Sequence, residues 1–386
     1  MSLRSKVNKH LKRLEKPFTT FNEITVSCSA LLHNFDFFSS LLPSGYVIPV
    51  LKSNAYGHGI AEVATILKQR KFPYIAVDGY YESLAIHDVS KQAVLVMGAI
   101  KPDNFQNMQF KGVTFVVQDI ESVEALAKTG RKVKVHIELE TGMTRHGVAN
   151  KDLPDFLKLL SLYPKLELEG VMTHLADADN HNDDSYNQRQ TGAFDNAVSL
   201  ILEANFKPKY IHIAQSAGST KVTSKYANAL RIGIALFGVS PLERRDAAHK
   251  QLSDLEPVLG LTSTITKVLA IERGTSVSYG RTFTADKDTK IGILPLGYYE
   301  GLPRALSNIG TVQYKDSYLP IAGRICMNHT MIDLGNSRLK VGDKVVIISD
   351  NVKSKNTVDS ICNAHDLFNY GLLVGLNQNI RRRIVD

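Results

Sequence analysis

From residue 45 to about residue 240 the chain alternates short apolar runs with longer amphipathic stretches. The runs fall at 46–52, 74–78, 93–98, 113–117, 133–140, 168–175, 210–214 and 229–234. Each has the length of a strand and is rich in Val and Ile, whereas 60–69, 120–128 and 194–204 place apolar residues at helical spacing. Strand followed by helix implies right-handed parallel βαβ units. Eight such units in about 200 residues predict an α/β fold, a closed (β/α)8 TIM-type barrel in preference to an open doubly wound sheet. The stretch 176–190 (ADADNHNDDSYNQRQ) is polar and follows the sixth run, so it reads as a loop over the C-terminal mouth.

After about residue 255 the rhythm changes to alternating apolar and polar residues broken by Gly, Asn and Asp, as in 262–271, 290–296, 311–314 and 344–349. The predicted division is a basic N-terminal extension over 1–19, a barrel over 20–254 and a mostly antiparallel β domain over 255–386.

Along a barrel strand one parity faces the helices and the other the lumen. In 133–140 the apolar set is Val133, Val135, Ile137 and Leu139, which leaves Lys134, His136, Glu138 and Glu140 inside. The same count groups Lys52 with Ile48 and Val50, His174 with Gly170 and Met172, His212 with Ala214, and Arg231 with Ala229. A lone lysine at a strand end is ordinarily solvated, and a lone histidine is ordinarily a satisfied core residue. Here Lys52, Glu138, His174 and Arg231 come from four strands and converge on the end where barrel active sites lie, and burying them without a ligand would be costly. A metal centre is the competing use of His136, His174 and His212, but no H-E-x-x-H or comparable spacing occurs, so no metal is expected.

Charge changes this picture little. Lys and Arg number 46 against 38 Asp and Glu, a net +8, yet 1–16 carries +5 and 381–386 carries +2, so the body is near neutral and a nucleic-acid partner is not expected. The longest apolar run, 93–100, is far short of the ~20 residues of a membrane span. The basic start is followed by neither an apolar core nor a small-residue cleavage site, so export is not expected. Val7, Leu11 and Leu14 at helical spacing among lysines read as a solvated helix rather than an RNA or membrane contact. Cys28, Cys326 and Cys362 form no C-x-x-C, which fits a reducing cytoplasm.

A lysine in a barrel mouth forms Schiff bases once burial and neighbouring cations lower its pKa, which points to pyridoxal phosphate or an aldolase. Barrels bind phosphate with small, Gly-containing segments after the last strands, and 214–219 (AQSAGS) and 233–238 (GIALFG) have that composition. No Walker A loop or G-x-G-x-x-G argues for a nucleotide.

The segment VIPVLKSNAYGHG around Lys52 resembles the cofactor signature of the alanine racemase family. It is joined in order by TGMTRHG (141–147), GVMTHLADAD (170–179), RIGIALFG (231–238), VSYGRTF (277–283), LPLGYYEG (294–301) and GRICMN (323–328), so the resemblance covers about residues 20 to 386. It implies a pyridoxal-phosphate homodimer of barrel and β domain, each site completed by the partner, that interconverts L- and D-alanine in the cytoplasm for peptidoglycan. On this resemblance Lys52 carries the cofactor and is one proton-transfer base, and Tyr279 of the other subunit is the opposite base. Tyr56, Ser216, Gly233, Ile234 and Tyr370 would surround the phosphate, and Arg231 would face the pyridine nitrogen with His174 behind it. Arg145 would meet the substrate carboxylate, and Tyr298 and Met327 would line the substrate side. A planar carbanion deprotonated on one face and reprotonated on the other wants two opposed bases, which lysine and tyrosine supply.

Three positions depart from the family pattern. Glu138 stands where many members have a carbamylated lysine that orients the arginine, and its shorter carboxylate is expected to reach Arg145 through water. Gln215 replaces the usual asparagine and Asn328 the usual aspartate, which leaves open a broader or serine-preferring racemase. A barrel-type decarboxylase or lyase would not need Tyr279, and a non-catalytic carrier of the cofactor would leave the β domain without a use.

Overall fold

The computed structural model describes residues 19–386; the basic segment read as a solvated helix lies outside them. The first described strand, β1 (Asn22–Ser27), precedes the barrel. Eight parallel strands follow: β2 (Tyr46–Pro49), β3 (Ile75–Val77), β4 (Val94–Val96), β5 (Val113–Val117), β6 (Val133–Glu140), β8 (Leu166–Met172), β9 (Tyr210–Gln215) and β10 (Ala229–Ile232), with a two-residue β7 (Val148–Ala149) beside β6. They lie in the order β2, β10, β9, β8, β6, β5, β4, β3. The ring closes where Val50 bridges Ala76 and Leu51 N–H donates to the Ala76 carbonyl at 2.8 Å. All three residues of β3 and of β4 and all five of β5 are buried, as strands covered on both faces must be.

Two links of the predicted rhythm are not α-helical. The connection between β4 and β5 carries the 3-10 turn Pro102–Asn107, and the one between β9 and β10 carries Gly218–Thr220. The stretch 176–190 is a loop only in its first part, because a helix spans Ser185–Glu203. Its start is fixed by Asp183, whose carboxylate accepts from Ser185 N–H at 2.8 Å and from Ser185 Oγ at 2.9 Å. The polar residues that masked this first turn look back into the loop. Gln190 accepts from Ala176 N–H at 2.8 Å and donates to the His174 carbonyl at 3.0 Å.

Contacts divide the chain into two compact units. One holds Thr25–Gly260, Ile348–Gln378 and Arg382–Asp386; the other holds the described residues up to Ile24, Leu261–Ile347 and Asn379–Arg381. Where the pattern placed one cut at 254/255, residues 348–378 belong with the barrel. The second unit is antiparallel: Thr289–Leu294 pairs with Lys267–Ile271 on one side and Thr330–Asp333 on the other, and Thr311–Tyr314 pairs with both Ser317–Pro320 and Lys344–Ile348. The expected strand at 262–271 is broken at Ile265 and Thr266, whose N–H groups donate to Asp343 and Ile293 carbonyls, both at 2.9 Å, as the chain passes between sheets. Among the described residues no helix is long and apolar enough to cross a membrane.

Candidate active site

The chain leaves β2 through Val50, Leu51 and Lys52 and then makes a single left-handed helical turn. Ser53, Asn54, Ala55 and Tyr56 have φ of 56°, 55°, 52° and 51°, and Gly57 follows at 83°. Each L-residue in this region costs roughly 1–2 kcal/mol, so the turn stands only because its surroundings hold it. Glu82 supplies one anchor: Oε1 accepts Ser53 N–H at 2.6 Å, while Oε2 accepts the N–H groups of Asp78 and Gly79 at 2.9 and 3.0 Å. Arg382 supplies another, with Nε and Nη2 donating to the Gly57 carbonyl at 2.9 and 2.7 Å. His58, fully buried and stacked on Phe237, donates from Nδ1 to the Ala55 and Tyr56 carbonyls. The turn sets Lys52 at the barrel mouth and turns the Tyr56 ring toward Tyr370 and Phe237.

Both Lys52 and Tyr56 line a cavity of about 370 Å³ at the C-terminal ends of the strands, within the usual size of ligand pockets. Glu138, Arg145, His174, Gln215, Ser216, Arg231, Gly233, Ile234 and Tyr370 line it too, so every barrel-unit candidate is brought to one pocket. Sequence reasoning missed Asp78, Met97, Gln118 and His146, which also line it. Asp78, Met97 and Gln118 directly follow strand ends, the one signal that could have found them, while His146 lies in the loop after β6. Glu140, expected inside, instead accepts from Gly142 N–H, because β6 has left the ring there to pair with β7.

Arg231 is the electrostatic centre. Nη1 donates to the His212 carbonyl at 2.8 Å, and Nη2 donates to the carbonyls of Thr173 and Ile213 at 2.6 and 3.2 Å. Nη1 also meets His212 Nδ1 at 2.8 Å, which makes that nitrogen an acceptor and leaves Nε2–H to donate to His136 Nδ1 at 2.9 Å. Gly170 makes this possible, since a Cβ there would fall 2.4 Å from the His136 ring. Burial, reinforced by the Arg231 charge, lowers His136 and His174 to about 3, so both are neutral. Burial pulls Arg231 down only to about 10, so it stays charged. His174 Nδ1 lies 3.4 Å from Arg231 Nη2.

Burial raises Glu138 above the ordinary carboxylate value, partly offset by Arg231 and Arg145. Gln118 donates to it at 2.9 Å, and Arg145 Nη2 stands 4.0 Å away, the loose pairing expected of a short carboxylate.

The donor set suits a phosphorylated heteroaromatic aldehyde. A Cβ on Gly233 would stand 2.3 Å from Tyr56 Oη, so only glycine leaves that cradle open. Burial raises the Tyr56 phenol strongly and pushes Tyr370 up to about 12, so both remain protonated donors for a phosphate. Ser216 Oγ lies beside them, accepting from Gly233 N–H at 3.0 Å. Arg231 Nε has no hydrogen-bond partner among the described residues, and Gln215 Oε1 is a buried acceptor without one. Lys52, on the same pocket, would supply the amine for the aldehyde.

The other candidates belong to the second unit and cluster there. Tyr279 sits in a strained turn, with Ser278 at φ 67° and Arg281 at φ 51°, tied down by Ser278 Oγ donating to the Arg324 carbonyl at 2.5 Å. Tyr298 N–H donates to the Cys326 carbonyl at 3.1 Å, beside Met327, and Asn328 donates to Glu300 at 2.8 Å. Tyr279 is 71% exposed. Among the described residues no group of three or more His, Cys, Asp or Glu could hold a metal.

Fold and pocket together define a barrel enzyme whose mouth gathers a lysine amine, phenol and hydroxyl groups and a charged guanidinium. The comparisons are specific. The family model described as alanine racemase, N-terminal domain, matches residues 26–241, and that for the C-terminal domain matches 258–384. The chain is 32% identical over 367 residues to alanine racemase 2 of Caldanaerobacter subterraneus subsp. tengcongensis, covering 93% of each, and 31% identical over 378 residues to the alanine racemase of Halothermothrix orenii, covering 96% of this chain and 97% of that one. A crystal structure of the alanine racemase from Bacillus anthracis with bound L-Ala-P superposes with a TM-score of 0.87 at 28% identity, covering 96% of both chains. That from Bartonella henselae, with covalently bound pyridoxal phosphate, shares the fold at 22% identity and a TM-score of 0.81, over 95% of this chain and all of that one. This chain belongs to the alanine racemase family.

Proposed function

We propose that the protein is a pyridoxal-phosphate-dependent isomerase that interconverts L- and D-alanine, working as a cytoplasmic homodimer that supplies D-alanine for peptidoglycan. The observation that carries this reading is the convergence of Lys52, Arg145, Arg231 and the open Gly233 cradle on one pocket, in a chain matched by both domain models of the family. Three free cysteines fit a reducing compartment.

Tyr56, Ser216, Gly233, Ile234 and Tyr370 would hold the phosphate, Arg231 Nε would face the ring nitrogen and Lys52 would hold the aldehyde carbon. When bound, pyridoxal phosphate supplies an electron sink that acidifies the substrate's Cα–H. Arg231, held charged by three carbonyls, keeps a proton off the ring nitrogen and so moderates that sink. Arg145 binds the substrate carboxylate, with Glu138 behind it. Lys52 Nζ removes or returns the α-proton on one face, and the partner subunit's Tyr279 does so on the other. Tyr279 is 71% exposed in one chain, which leaves it free to be covered by a partner's barrel mouth.

A chiral assay of the purified protein with added cofactor, run on L-alanine, L-serine and other L-amino acids, tests this. Fastest conversion of alanine is expected; faster conversion of serine would make Gln215 and Asn328 specificity determinants. Tyr279→Phe should cut racemisation by ~10²–10⁴-fold while leaving the cofactor absorbance band. A variant racemising at full rate would refute the second base, and a cofactor band with no racemisation in the parent would favour the lyase.

A further inference from the structure

A second cavity, of about 340 Å³, lies in the barrel unit between the segment after β10 and the helix Val358–His365. Its lining includes the apolar Leu242, Leu255 and Val258 and the charged Asp359 and Arg244. Both oxygens of Asp359 receive neutral donors, Asn369 Nδ2 at 2.9 Å and Ser240 N–H at 3.3 Å. Among the described residues Asp359 makes no ion pair within 4.0 Å; Arg244 and His249 act on it only at longer range. Burial pushes its carboxyl up to about 6, so at neutral pH it carries a half-buried negative charge with no direct counter-ion. Arg244 is exposed and makes no hydrogen bond among the described residues, although its neighbour Arg245 is paired with Glu243. The cavity therefore offers an anion inside and a cation at its rim, neither with a direct charged partner in the chain itself, beside an aliphatic wall.

We infer that this cavity binds a free aliphatic α-amino acid as its zwitterion, with the ammonium on Asp359, the carboxylate on Arg244 and the side chain against Leu242 and Leu255. Charges of both signs select against a simple amine or a simple carboxylic acid, which would each leave one pole unpaired. The cavity volume of about 340 Å³ leaves room for a branched side chain larger than alanine's methyl. The site touches the barrel mouth twice. Asn369, which holds Asp359, precedes Tyr370 of the active pocket, and Phe237 on the cavity wall is stacked on His58, which braces the left-handed turn.

Calorimetric titration of the holoenzyme, its cofactor locked onto Lys52 by borohydride reduction so that the barrel mouth is closed to amines, separates this site from the catalytic one. L-Leucine is expected to bind once per chain, with isobutylamine and isovalerate each at least about tenfold weaker. Arg244→Gln, on the surface, and Asp359→Asn, which keeps the side-chain shape, should each weaken leucine by a similar factor. Absence of leucine binding, equal binding of isobutylamine or isovalerate, or leucine binding unchanged in Arg244→Gln would each overturn the assignment.

Discussion

At Glu138 a single residue sets both charge and reach. Its buried carboxyl titrates above the ordinary value, so as pH falls it gains a proton earlier than an exposed glutamate would, and Arg145 then loses the anion behind it. The kcat/KM for alanine should therefore decline on the acid side at a pH above 4.5, and Glu138→Gln should abolish that limb while lowering kcat/KM at neutral pH by roughly tenfold. An unchanged acid limb in the variant would assign the titration elsewhere. Because the folded chain holds this proton more tightly than the unfolded one, Glu138's contribution to stability falls as pH rises through the raised value. Gly233 is the second decisive residue. The methyl of Gly233→Ala would fall 2.3 Å from Tyr56 Oη, so cofactor retention on dilution, followed by absorbance, should drop by about tenfold or more.

The left-handed turn is the element on which the site depends. Ser53 is exposed and occupies a conformation that suits glycine, so Ser53→Gly should relieve about 1 kcal/mol and raise Tm by roughly 2–4 °C. A lower Tm would show that the turn is not under strain. Nothing in KSNAYGHG announces four consecutive positive φ values, because outside the glycines only Asn54 is of a type that often adopts them; the anchors Glu82, Arg382 and His58 make the conformation stable. The eight strands, by contrast, were legible, since burial on both faces demands the Val- and Ile-rich runs that mark them. The helix start at Ser185 was not, because Asn187, Gln190 and Thr191 are buried polar residues that hydrogen-bond within the chain, and periodicity counts them as solvent-facing.

For the molecule as a whole, a shared site makes a sharp demand on mixtures. Lys52→Ala and Tyr279→Phe chains, each inactive alone, should regain about a quarter of parental activity when exchanged one to one, because half the dimers then hold one intact site of two. A mixture that stays inactive would place both bases in a single chain. The convergence of Lys52, Glu138, His174 and Arg231 was readable from strand parity alone, whereas Asp78, Met97, Gln118 and His146 were not, since nothing local distinguishes them from ordinary residues at loop starts. The imidazole column behind Arg231 bears on where the substrate's proton can travel. Its N–H bonds all point one way, from Arg231 to His212 to His136, and His136 Nε2 ends without a partner among the described residues. A hopping proton needs an acceptor at each station, and Arg231, charged and without a lone pair, is none. The barrel axis is thus insulated, at Arg231, from the proton transfer at its mouth.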